Sequence, residues 1–228
     1  MNRRKMGQMT PIEQLAAVLR RNVDTASEQR FNISEYPQED VEKMLRMCYK
    51  AEVMKRHLTY DNDKATEERC KLAAKWLCED CKPGLLLYGR VGSGKTTLAR
   101  AICRLIAFLY DRYEIGQDRR CSVSQTTAME LSKQAVDMEN GRYNQFKFAK
   151  MVFLDDVGVE PPTVKSWGNE YSPVVELLYY RYDRQKFTII TSNLTPDEFR
   201  QRYGDRVGDR LLEMFDAIQF TQTLSYRR

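Results

Sequence analysis

Apolar residues along the chain follow two different periods. Ile12, Leu15, Ala16 and Leu19 recur at helical spacing just after Pro11, which predicts a first helix. A polar stretch over 24–35 separates it from a second helical stripe, Val41, Met44, Leu45 and Cys48. Pro37, Glu39 and Asp40 open that stripe, as suits a helix start. Residues 59–64 are polar and read as a linker, after which Leu72, Ala73, Trp76 and Leu77 predict a third helix. Beyond it the pattern changes. Short, largely apolar runs, 85–88, 151–154 and 187–191, alternate with helical stripes, the first of them Leu98, Ile102, Leu105 and Leu109. Further helices are expected from Thr127, where Glu130 completes a capping box, from Ser172 and from Pro196. Residues 121–125 and 217–220 read as additional strands. Buried runs that alternate with helices predict an α/β fold, a parallel sheet flanked by helices on both faces. The helical residues 1–60 are read as a separate N-terminal region, and 61–228 as the core domain.

Composition narrows the function classes. A chain of 228 residues suits one α/β domain with a small appendage. Its formal net charge of +5 fits a nucleic-acid partner without requiring one. No apolar run approaches the roughly 18 residues of a membrane span, and Glu13 and Gln14 interrupt any signal-peptide pattern. No membrane association is expected, and a cytoplasmic location with reduced thiols is. Cys78 and Cys81 form a C-x-x-C, but no second pair lies at zinc spacing and His57, the only histidine, is remote, so a structural metal is not expected.

The chemistry lies where the core begins. The run 85–88 meets Gly89, Arg90, Val91, Gly92, Ser93, Gly94, Lys95, Thr96 and Thr97, and a helix follows. Glycines let a row of backbone N–H groups close on a phosphate, and the helix start adds a positive dipole. Lys95 supplies a mobile charge for β- and γ-phosphates, and the Thr96 hydroxyl is placed for Mg²⁺. The expected ligand is ATP with Mg²⁺. The apolar strand 151–154 ends in Asp155 and Asp156, which matches a Walker B strand: Asp155 as a Mg²⁺ partner acting through water or through the metal's ligands, Asp156 to polarise the attacking water. Glu160 is a reserve base. Asn193, at the tip of the next strand, is positioned to hold that water. Arg206 and Arg210 lie four apart on one helical face, where either would reach a neighbouring copy's nucleotide as an arginine finger. Each assignment has a plainer reading: Asp and Asn are common turn residues, and paired arginines also suit a solvated helix face.

Taken in order, these motifs resemble the AAA+ ATPases, and within them the replicative helicase loaders of the DnaC and DnaI type. The resemblance covers about residues 65–228 through GLLLYGRVGSGKTTLARAI, MVFLDDVGVE, the segment from 167 to 186, FTIITSNLTPDEF and YGDRVGDRLLEMF. It implies a P-loop AAA+ fold without a C-terminal lid, Asn193 as sensor 1, Arg210 as the finger with Arg206 as its alternative, and self-assembly into a homo-oligomer. It further implies a ring helicase gripped by the N-terminal region and single-stranded DNA as a partner. Asp156 stands where many AAA+ enzymes carry Glu, and its shorter arm implies slow hydrolysis. Lys133, Arg142, Tyr143, Phe146, Lys147, Phe148 and Lys150 mix basic and aromatic residues as single-strand surfaces do, and as solvated helix faces also do. Three other readings stay open: an IstB-type transposition helper whose client is a transposase, a small-molecule kinase, and a nucleotide-gated adaptor with little hydrolysis.

Overall fold

A computed structural model describes residues 10–28, 31–61, 63–79, 81–113, 123–136, 141–166 and 168–221. The chain divides into two compact units, residues 1–31 and 32–228.

The first unit contributes one helix, α1 (Pro11–Glu28). Thr10 caps it reciprocally with Glu13: the Glu13 amide donates to Thr10 Oγ1 at 3.3 Å and the Thr10 amide to Glu13 Oε2 at 2.7 Å. That satisfies two of the donors a helix start leaves open.

The second unit opens with α2 (Gln38–Met54) and α3 (Lys64–Cys78). Asp63 caps α3 by accepting the Thr66 amide at 2.7 Å. Next come β1 (Gly84–Gly89), α4 (Lys95–Tyr113), β2 (Ser124–Thr127), α5 (Ala128–Val136) and α6 (Arg142–Phe148). The strand expected over 121–125 is found at Ser124–Thr127; Cys121 and Ser122 are outside the described residues. Then follow β3 (Val152–Val157), the short hairpin β4 (Val164–Ser166) and β5 (Asn169–Tyr171), and α7 (Pro173–Asp183). The chain continues through β6 (Thr188–Ser192), α8 (Pro196–Tyr203), α9 (Asp205–Met214) and β7 (Phe215–Phe220).

Five strands form one sheet in the order β2-β3-β6-β1-β7, with every neighbouring pair parallel. Leu85–Leu87, Val152–Leu154 and Ile189–Ile190 are buried in it, as a sheet covered by helices on both faces requires. β6 lies between β1 and β3. That single topological fact places the end of β6 between the glycine-rich loop and the Asp155–Asp156 pair. α8 and α9 approach so closely at Gly208 that a Cβ there would stand 2.1 Å from Arg200 Cγ.

The expected boundary at residue 60 does not coincide with the division between the compact units. α2 packs on α3 and α4, and its buried Val41, Leu45 and Tyr49 share that packing. Glu52, also buried, accepts Arg104 Nε from α4 at 2.8 Å, and Arg104 Nη2 lies 2.6 Å from the same Oε1 oxygen. Two-point binding by a planar guanidinium fixes the helices in register as well as attracting them. The stripe expected on α3 is also shifted: Leu72 is exposed, while Cys70, Ala73, Ala74, Trp76 and Leu77 face inward.

Candidate nucleotide site

The carboxyl ends of β1, β3 and β6 open into a cleft of about 230 Å³, partly open to solvent. Its floor is the glycine-rich loop. Gly89 has φ 134°, and a Cβ there would stand 2.3 Å from the Phe220 carbonyl oxygen on the neighbouring β7, so only glycine lets the chain leave the strand here. Ser93 is buried and donates to the Arg90 carbonyl at 2.6 Å, which folds the loop on itself. Val91, Gly92, Ser93, Gly94, Lys95, Thr96 and Thr97 all line the cleft.

Lys95 Nζ donates to the carbonyls of Gly89 and Arg90, each at 2.8 Å, and to Asn193 Oδ1 at 2.9 Å. Its ammonium is therefore held over the loop by neutral acceptors, alongside the residue expected as sensor 1. Thr96 Oγ1 donates to Asp155 Oδ1 at 2.8 Å. Asp155 is buried, and the Arg100 guanidinium reaches its other oxygen only at 4.0 Å. A carboxylate and a hydroxyl meeting at the helix start form the hard-oxygen donor set that suits Mg²⁺. Asp156 lines the cleft with φ 55°, a left-handed conformation uncommon outside glycine that aspartate tolerates better than most.

Two expectations need correction. Glu160 is not a cleft residue: it is buried, accepts the Gly158 amide at 2.8 Å and the Tyr203 hydroxyl, and faces α8. Burial and this carboxylate push the Tyr203 phenol well above its ordinary range. Glu160 thus anchors the loop after β3 to α8. Tyr143 is not a base-stacking residue either. Its ring is buried and its hydroxyl donates to the Pro173 carbonyl at 3.0 Å. Phe146 packs against the core and Lys147 pairs with Glu176 at 3.9 Å. Lys133, Arg142, Phe148 and Lys150 are exposed.

The α9 arginines lie away from the cleft lining. Arg210 pairs with Asp183 at 3.7 Å and stacks over Tyr179 and Tyr182, with its guanidinium carbon 4.4 and 4.8 Å from the ring centres. Arg206 is exposed one turn earlier.

One wall of the cleft was not foreseen. Tyr49, Val53, Arg56, Leu58, Thr59, Tyr60 and Asp61 line it, although their pattern in the chain predicts a separate region and a linker. Aromatic and aliphatic groups beside a few polar ones make the kind of surface that takes a nucleobase. Arg56 Nη1 donates to Thr97 Oγ1 at 3.4 Å, so this wall touches the first turn of α4. Arg69 braces the loop from behind, reaching the Ser93 carbonyl at 3.5 Å and stacking on Phe220 at 4.3 Å. Glu52 was the available signal: a carboxylate continuing the apolar stripe Val41, Leu45, Tyr49 announces a buried partner.

No family model and no curated protein sequence matches the chain. Solved structures do match in fold. The crystal structure of the DnaC helicase loader superposes with a TM-score of 0.54 and 22% identity, covering 71% of this chain and 94% of that one. That of DnaI superposes with a TM-score of 0.52 and 21% identity, covering 77% of this chain and 94% of that one. The chain shares the fold of these two structures, a five-stranded parallel sheet flanked by helices.

Proposed function

We propose that the chain is a Mg²⁺-dependent ATP hydrolase of the helicase-loader type, acting in DNA replication in the cytoplasm. The observation that carries this reading is the convergence of Lys95, Asn193 and the Thr96–Asp155 pair on one cleft at the carboxyl ends of three adjacent strands. The glycine-rich loop binds the phosphates through its amides. Lys95 exchanges its neutral carbonyl partners for a phosphate, a charge-assisted bond roughly twice as strong as a neutral one. Mg²⁺, held by Thr96 and Asp155, would neutralise charge building on the phosphate oxygens. Asn193 orients the lytic water and Asp156 takes up its proton. The wall of Tyr49, Leu58 and Tyr60 receives the base.

The transition-state charge is completed in trans. Neither α9 arginine lines its own cleft, which supports a role across a junction between copies, with Arg210 preorganised by its tyrosine stack and Arg206 as its alternative. The N-terminal unit carries Ile12, Leu15, Val18 and Leu19 exposed on α1 and engages the client, a ring helicase; in the alternative, transposition-helper reading the client is a transposase. Single-stranded DNA is the expected nucleic-acid partner, contacted through Lys133, Arg142, Phe148 and Lys150. A second reading, the nucleotide-gated adaptor, draws support from Asp156, whose arm is one methylene shorter than that of Glu.

Mixing variants tests the shared site. Arg210→Ala protein and Asp156→Asn protein are each expected to bind ATP and hydrolyse it poorly. Their mixture is expected to regain turnover through junctions that pair an intact arginine with an intact Asp156. Parent-level hydrolysis by Arg210→Ala and by Arg206→Ala, each as an isolated monomer, would refute the shared site.

A further inference from the structure

The ladder between β3 and β6 is regular from Val152↔Thr188 through Leu154↔Ile190, then shifts register before Val157↔Ser192. Asp155 and Asp156 therefore face the single residue Thr191. An extra residue in one strand leaves ladder groups unpaired and re-aims the side chains beside it. Here a side chain takes over from the ladder. The Asp156 amide donates to Thr191 Oγ1 at 2.9 Å, and the same hydroxyl donates to Asp155 Oδ1 at 2.6 Å. Asp155 Oδ1 also receives the Thr96 hydroxyl. One residue later, Ser192 Oγ donates to the Val157 carbonyl at 2.5 Å and accepts the Leu194 amide at 3.0 Å. Both hydroxyl residues are fully buried. β6 is thus stapled to β3 by hydroxyl groups at the point where the backbone ladder fails.

We infer that Thr191 is the positioning residue of the carboxylate pair: its one hydroxyl fixes the orientation of Asp155 and secures the left-handed backbone of Asp156. It is fully buried and does not line the cleft. It acts by holding one carboxylate oxygen toward Thr96 and by giving the Asp156 amide its partner, so that the Asp156 side chain is aimed into the cleft. Thr188, on the same strand, offers a contrast. Its hydroxyl accepts from Arg181 at 2.7 Å at the far end of β6, where a purely structural role suffices. This inference rests on reading the cleft as an ATP hydrolase site.

The test pairs Thr191→Val, which keeps the shape and loses the hydroxyl, with Thr191→Ser, which keeps it. Amide hydrogen exchange at Asp156 is followed by NMR in nucleotide-free protein, and kcat, KM and the Mg²⁺ requirement are measured well below the melting temperature. Thr191→Val is expected to exchange the Asp156 amide about tenfold faster. It should lower kcat about 10- to 100-fold, as loss of an orienting partner does, raise the Mg²⁺ needed for half-maximal rate, and leave KM within about threefold. Thr191→Ser should stay near the parent in all four. Unchanged exchange and kcat in Thr191→Val would overturn the inference. So would a Thr191→Ser protein as impaired as Thr191→Val, or a loss confined to melting temperature. If the parent itself fails to hydrolyse ATP, the hydrolase reading falls, and the Asp156 exchange rates still decide whether Thr191 holds the pair.

Discussion

Lys95 and Asn193 are 98 residues apart in the chain, yet the ammonium of one lies 2.9 Å from the amide oxygen of the other. The contact exists because β6 is inserted between β1 and β3. That insertion brings the end of β6 beside the glycine-rich loop and the first residue of α4. If Asn193 orients the attacking water, Asn193→Ala is expected to lower kcat on the order of 100-fold while ATP still binds. Equilibrium binding and steady-state turnover on the same preparation separate the two effects.

Arg181 is completely buried and has no carboxylate partner among the described residues. It donates instead to Thr188 Oγ1 and to the carbonyls of Phe146, Ala149, Lys150 and Phe187, the last at 2.6 Å. One side chain therefore satisfies the end of α6 and the entries to β3 and β6. Burial pulls its guanidinium down to about 10. Arg181→Met would leave several carbonyls buried and unpaired and is expected to cost about 3 kcal/mol or more. Urea denaturation, with the slope compared to the parent's, reads this directly.

Burial pushes the thiols of Cys70 and Cys103 up to about 12, from an ordinary 9.0. The unfolded chain releases these protons near pH 9 and the folded chain keeps them. Between those values the unfolded state binds fewer protons, so stability falls as pH rises. The contribution is intact below pH 9 and lost across the window up to about 12, and melting temperatures measured through that window should decline. At neutral pH, maleimide should modify the half-buried Cys48, Cys78 and Cys81 ahead of Cys70 and Cys103, which react only when the protein opens. Mass spectrometry of timed aliquots checks the order.

The motif residues were legible because each rests on local chemistry. A glycine-rich turn between a strand and a helix, or two carboxylates ending an apolar run, is visible within ten residues of chain. What escaped the sequence depends on partners far away. α2 looked like part of an appendage because Glu52 and Arg104 meet across 52 residues. Residues 59–61 are polar and looked like a linker, yet they form a wall of the cleft. Glu160 looked like a free acid because Tyr203, which binds it, lies 43 residues on. Tyr143 carried the basic and aromatic surroundings of a nucleic-acid surface, but periodicity over so short a helix does not say which face is inward. The β4–β5 hairpin has three-residue strands, too short to show an alternation.

The proposed ligand of the cleft is ATP, held through Lys95 with Mg²⁺ at Thr96 and Asp155. Isothermal titration of ATP into the protein, with and without Mg²⁺, tests it most directly. The expected result is saturable one-site binding that strengthens with Mg²⁺, and a loss on the order of 100-fold in Lys95→Ala. ATP affinity that is indifferent both to Mg²⁺ and to the Lys95 substitution would contradict it.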